Sequence, residues 1–240
     1  MVKFKNKKNR YLIYFFKKYF KYSLKKNFFR INLKGRKLLE ETIKKSKASE
    51  IPLILILNHP NWWDAAFVTH LIYSYLKMEG YCFMEYKQMK DFKFFNKIGA
   101  VPIIRENAEF SLKSLNFVID AIKNKSLMAV IFPQAELTHN SKKPYKFFSG
   151  FYYLMKKTKK GIIICGYLDY RFTTEQRPEL YVNIFKSYEY ESDGLPEKSS
   201  YVNSLEKEYE LINDEFERDF TTGNLKEYEI ILQGKKSIDK

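Results

Sequence analysis

The sequence predicts an α/β fold, a mostly parallel central sheet flanked by helices, with an N-terminal basic amphipathic helical arm. Three observations carry that prediction. From residue 51 onward, short apolar runs alternate with stretches of helical period, the order that builds a parallel sheet covered by helices. Several of these runs are apolar on both faces, as strands in the middle of such a sheet must be. The charge is also localised: of 43 Lys and Arg, fourteen fall in residues 1–37, where no Asp or Glu occurs, and the other 29 face 28 acidic side chains. An excess of +15 held almost wholly by one segment implies a partner met by that segment.

Residues 10–30, RYLIYFFKKYFKYSLKKNFFR, alternate aromatic and lysine clusters at helical spacing. Leu12, Phe15, Phe16, Tyr19, Phe20 and Leu24 fall on one expected face, and Lys17, Lys18, Lys21 and Lys25 on the other. Five lysines lie between positions 17 and 26. At roughly 2.5–3.5 kcal/mol for each Lys near the bilayer centre, a membrane span is excluded. The arm, taken as residues 1–37, is therefore expected to lie on an anionic membrane surface. Basic and aromatic residues also suit stacking and phosphate contacts, so nucleic acid is the competing partner and ranks below the membrane.

The body, residues 38–190, reads as one α/β domain. Strands are expected at 51–57, 80–86, 100–105, 126–132, 161–172 and 179–185, and helices near 64–78, 108–124 and 148–158. After Gly194 and Pro196, the residues Leu205, Tyr209, Ile212, Phe216 and Phe220 recur at helical intervals. Residues 191–240 are thus expected to form a helix and a charged, nondescript tail, both packing on the same domain. With 45% hydrophobic and 30% charged residues the composition is that of a globular chain, which excludes disorder for the body. Cys82 and Cys165 sit in apolar, strand-like surroundings and read as buried thiols in a reducing cytoplasm. No secretory leader is expected, because lysines interrupt the N-terminal apolar residues.

The stretch LNHPNWWDAAF, residues 57–67, places one of only three histidines at the carboxyl end of a buried strand, where open α/β sheets bind ligands. Pro60 keeps His59 out of helical geometry, and Asn61 can cap a helix whose first turn holds Asp64. Asp64 has two roles open to it. It can complete a capping box with Asn61, or it can accept a hydrogen bond from His59 and steady an imidazolium. A neutral imidazole near pH 7 is matched to removing a proton from an alcohol. Arg105, ending GAVPIIR, and Pro133, Gln134 and Glu136, in IFPQAELTH, follow other strands and are expected along the same sheet edge. Arg105 could instead pair with Glu106, and Glu136 could be a solvated loop residue. Trp62 and Trp63 read as either ligand-facing or packing residues, KKPYKFF (142–148) as a solvated loop or a second membrane contact, His70 as packed on its helix, and His139 as lacking a partner.

As an ordered set these residues resemble the glycerolphosphate/lysophosphatidate (1-acylglycerol-3-phosphate) acyltransferase family. His59 and Asp64 match its first motif, His and Asp separated by four residues. Gly99 to Arg105 look like its second, and FPQAELT is similar to its third, usually Phe-Pro-Glu-Gly-Thr-Arg. Gln134 and Ala135 depart from that form, and Glu136 matches a Phe-Pro-Gln-x-Glu variant.

The resemblance, over about residues 50–185, implies acyl transfer from acyl-CoA or acyl-carrier protein to a hydroxyl of a lysophospholipid or related lipid acceptor. His59 would be the general base and Asp64 its orienting carboxylate, with backbone N–H groups near the helix start for the oxyanion. Arg105, Pro133, Gln134 and Glu136 would bind substrate. It implies no metal and no cofactor beyond the acyl donor as co-substrate, a part in phospholipid biosynthesis, and a peripheral place on the cytoplasmic face of a membrane. The alternative expectation is a catalytically silent acyltransferase-like protein that binds lipid or protein.

Overall fold

The structure, a computed structural model, describes residues 8–236; residues 1–7 of the expected arm and 237–240 of the tail lie outside the described residues. In chain order the elements are α1 (Arg10–Asn27), β1 (Arg30–Lys34), α2 (Arg36–Ser49), β2 (Leu53–Leu57), α3 (Asp64–His70), β3 (Gly80–Glu85), α4 (Tyr86–Asp91), α5 (Phe94–Lys97), β4 (Ala100–Ile103), α6 (Ala108–Ile122), β5 (Met128–Ile131), α7 (Gly150–Thr158), β6 (Lys160–Arg171), β7 (Glu179–Glu191), α8 (Lys198–Thr222) and β8 (Glu229–Gln233). The strands form one sheet in the order β4-β3-β5-β2-β6-β7-β1-β8. Strands β4, β3, β5, β2 and β6 run parallel, β7 is antiparallel to β6, β1 parallel to β7, and β8 antiparallel to β1.

Period-2 alternation explains why the centre of this sheet is apolar on both faces. Along β2, Leu53, Leu55 and Leu57 enter one core and Ile54 and Ile56 the other. In β6, Ile162, Ile164 and Leu168 share the first core, and Ile163, Cys165 and Tyr167 the second. The first core is closed by residues of α1, α2 and α3, and the second by α6, α7 and α8. Side-chain caps set helix starts: Asn9 accepts from Leu12 N–H at the head of α1, and Asn107 from Phe110 N–H at the head of α6.

Several expectations are corrected. Among the described residues the sheet has eight strands, not the six expected: β1 lies inside the range assigned to the arm, and β8 inside the tail, for which no strand was expected. In β1, Arg30, Asn32 and Lys34 alternate with Ile31 and Leu33, and β8 is largely exposed with three apolar residues in a row, so neither shows the longer apolar run that marks β2. Residue 37, the expected end of the arm, lies within α2. Helix α2, unforeseen, buries only Leu39, Thr42, Ile43 and Ser46 from a charged sequence.

The helix expected over 64–78 is α-helical to His70 and then makes a π turn, Leu71–Tyr75. Strand β7 continues six residues past the expected end, paired along β6. The loop 142–148 is solvated only in part: Lys142, Lys143, Pro144, Lys146 and Phe148 are exposed, while Tyr145 and Phe147 are buried and their N–H groups donate to Glu210 and Glu206 of α8.

Candidate functional site

Helix α1 lies against the body. Phe20 and Leu24 are buried, and Leu12, Ile13 and Phe16 pack on the first core. Phe16 stacks on Phe94 of α5 with ring centroids 4.1 Å apart, and Asn9 N–H donates to the Lys97 carbonyl. The single apolar face expected to meet the membrane is thus divided: Leu12, Phe16, Phe20 and Leu24 pack on the protein, while Phe15 and Tyr19 are about half exposed. Tyr11, Tyr14 and Tyr22 are exposed beside Lys18, Lys21, Lys25 and Lys26. Among the described residues no helix is long and apolar enough to cross a membrane.

Between α1, α3, α5 and the ends of β3 and β4 lies a cavity of about 870 Å³. Its deep wall is apolar, including Ile72, Cys82, Phe94, Phe95 and Ile98; its other end carries His59, Glu85, Arg105 and Glu136. Exposed Trp62, Phe148 and Leu137 stand at its mouth with Phe15 and Tyr19. Trp63 also lines the cavity but packs on the first core and meets Phe28 edge-on, so it fills both of the roles left open.

His59 and Asp64 meet. The His59 Nδ1 is 2.6 Å from Asp64 Oδ2, which leaves Nε2 for the cavity that the ring lines. Pro60 and Asn61 turn the chain between β2 and α3, so that one turn of backbone brings the two side chains together. Asp64 fills both roles considered for it: Asn61 N–H also donates to Oδ2 at 3.2 Å, while Trp63 N–H donates to the Asn61 side-chain oxygen at 3.1 Å, a reciprocal cap. Those two amides, among the helix-start groups expected to serve an oxyanion, are thus already paired.

Sequence reasoning missed Tyr170. Its hydroxyl donates to Asp64 Oδ1 at 2.6 Å from the far end of β6. The carboxyl group is fully buried. Burial pushes its pKa up, opposed by the hydrogen bonds from His59, Tyr170 and Asn61 N–H, which favour the charged form. Burial and the Asp64 charge push the Tyr170 phenol well above its usual range, so it stays a donor. The signal available in the sequence was weak: Tyr170 follows Leu168 at the two-residue step of the core-facing positions, but nothing local names its partner.

The imidazole is fixed from two further sides. Phe132 stacks on it at 4.3 Å, and its backbone is clamped, N–H to Gln134 Oε1 at 2.7 Å and carbonyl to Thr138 N–H at 2.9 Å. Gln134, expected to touch substrate, is instead buried and spends its carboxamide oxygen on His59. Pro133 is buried but does line the cavity, and its carbonyl accepts from Phe148 N–H at 2.8 Å. The turn closes through Ala135 N–H to the Phe132 carbonyl, with Ala135 at φ +60°. A residue with a Cβ is strained in that left-handed region.

Arg105 reaches the polar end of the cavity but pairs with neither Glu106 nor open water alone. Its Nε lies 3.4 Å from Glu85 Oε2 and its Nη1 3.4 Å from Glu136 Oε2. Glu85 was not foreseen, because it ends an apolar strand and its partner is twenty residues on. Both cysteines are free; burial pushes each thiol up to about 12, away from nucleophilic use. His70 is buried, and His139, expected to lack a partner, shares a hydrogen bond with Ser141 at 2.7 Å. Among the described residues no three His, Cys, Asp or Glu side chains gather to hold a metal ion.

A hydrogen-bonded imidazole and carboxylate at a cavity wall can take a proton from a group bound beside Nε2. No curated protein matches the chain. A family model described as "Acyltransferase" matches residues 30–167, more than half of its length.

Proposed function

The chain belongs to the acyltransferase family, and from that premise we propose that it moves an acyl chain from acyl-CoA or acyl-carrier protein to a hydroxyl of a lysophospholipid or related lipid. The observation that supports this reading is the His59–Asp64 pair, 2.6 Å apart, in the wall of an apolar cavity. His59 Nε2 takes the proton of the acceptor hydroxyl as its oxygen attacks the thioester carbonyl. Asp64 holds the tautomer and stabilises the imidazolium. The C–S bond then breaks, and the leaving thiolate recovers the proton from His59. The acceptor and donor need only be held side by side, so no acyl-enzyme is required.

The apolar depth of the cavity suits an acyl chain, and its mouth suits delivery from a bilayer. Trp62, Phe148, Leu137 and the outward tyrosines of α1 would enter the interface while the lysines meet anionic headgroups, each contributing about 1 kcal/mol at most. On this reading α1 is a membrane-facing wall of the single domain, which rests peripherally on the cytoplasmic leaflet. Acyl-thioester consumption with a lipid acceptor, compared between wild type and His59→Ala at equal circular dichroism, tests the proposal. Equal turnover in the two proteins would remove His59 from the mechanism.

A further inference from the structure

We infer that the polar end of the cavity selects a hydroxyl-bearing acceptor head without a phosphate, and that Glu85 is the residue that reads it. The inference rests on the acyl-transfer reading and narrows its acceptor. Among the described residues lining the cavity, Arg105 is the sole Lys or Arg. A guanidinium offers two edges for a bidentate oxyanion, Nε with Nη2 and Nη1 with Nη2. Glu85 occupies the first at Nε, and Glu136 the second at Nη1. A phosphate would have to displace a carboxylate to form a fork, and would then sit beside the other.

The balance of charge points the same way. Two carboxylates face one guanidinium, and the Asp64 carboxylate stands behind His59 in the same wall. Like charge brought into a partly closed cleft is repelled, because water screens it poorly there. Glu85 has a further property: its Oε1 is buried and has no hydrogen-bond partner among the described residues. An acceptor-only atom in that state calls for a donor. A glycerol or sugar hydroxyl supplies one, whereas a phosphate oxygen adds a second acceptor.

The test uses the full chain, with monoacylglycerol and lysophosphatidate of the same acyl chain in the same neutral detergent micelle, and measures both equilibrium binding and kcat/KM with an acyl thioester. Wild type is expected to favour monoacylglycerol by about tenfold or more, and Glu85→Gln to shrink that ratio by about tenfold by removing one repelling charge. Glu136→Gln, at an exposed position, should shift the ratio the same way and covers the case in which the Glu85 variant folds poorly. Preference of wild type for lysophosphatidate, or a ratio unmoved in both variants, overturns the inference. If neither lipid is acylated, the acyl-transfer reading falls, and the order of binding still decides this one.

Discussion

The Tyr170 hydroxyl donates to Asp64 Oδ1 at 2.6 Å, while the other carboxylate oxygen faces His59 Nδ1 at the same distance. Each oxygen of this buried carboxylate thus has its own side-chain donor, and Asn61 N–H adds a third bond. Rotation of the carboxylate would break one contact to keep another, so the imidazole is held at one angle to the cavity.

Removing the base should cost catalysis without costing the fold. His59→Ala is expected to lower acyl-transfer kcat by roughly 10²–10⁴, the range for a positioned general base. Asp64→Asn should lower it as well by losing the charge that steadies the imidazolium. Steady-state kinetics beside far-ultraviolet circular dichroism checks both.

Tyr170→Phe leaves the ring and deletes one hydrogen bond. A buried carboxylate oxygen then loses its donor, which should destabilise the protein by about 1–3 kcal/mol. Urea unfolding reads the loss. A fall in kcat with KM held would show that the lost contact positions the base; equal unfolding midpoints would show that the hydroxyl carries no stability.

Ala135 occupies a left-handed conformation at φ +60°. Ala135→Gly removes the clash of Cβ with the carbonyl while adding freedom to the unfolded chain, so a net gain of up to about 1 kcal/mol is expected. Thermal unfolding at a fixed scan rate measures it. Because the same turn sets Gln134 against His59 N–H, activity should survive the change. Gln134→Leu, which strips that N–H of its partner, should lower both activity and stability.

His70 is buried, neither ring nitrogen has a hydrogen-bond partner among the described residues, and burial with the nearby Lys21 and Lys25 lowers its pKa to about 4 from 6.5. Below pH 6.5 the unfolded chain takes up a proton that the folded one refuses, so the His70 contribution is whole above that pH and is lost as pH falls toward 4. Across that window the loss approaches roughly 3 kcal/mol. Denaturation midpoints at several pH values, in wild type and His70→Leu, should show a shallower acid-side decline in the variant.

Tyr11, Tyr14 and Tyr22 are exposed and lie outside the cavity lining. Their joint replacement by Ser should weaken flotation with anionic vesicles and leave turnover of a micellar acceptor near the wild-type value. Added salt should weaken wild-type binding further, since the lysines act through a screened field. Vesicle binding that is indifferent to both would place the membrane contact elsewhere.

Much of the fold was legible because its signals are local. Leu53 to Leu57 alternate between two cores within five residues, and the helix of residues 198–222 repeats Leu205, Tyr209, Ile212 and Phe216 along one stripe. β1 and β8 escaped notice because a strand near the sheet edge needs few apolar residues; pairing supplies what composition does not show.

The sequence by itself determined the α/β order, the strand that ends just before His59 and the placing of His59 and Asp64 within one turn of chain, because a proline and a helix start fix that backbone over five residues; whether the two side chains meet it left open. Tertiary structure alone decided that Tyr170, 106 residues away, completes the carboxylate, that Glu85 and Glu136 take both edges of Arg105, that Gln134 serves the backbone of His59, and that α1 walls the cavity. These contacts join strand ends and loops brought together by the sheet. Their energies depend on which groups are left facing each other after burial, a quantity no local pattern of residues encodes.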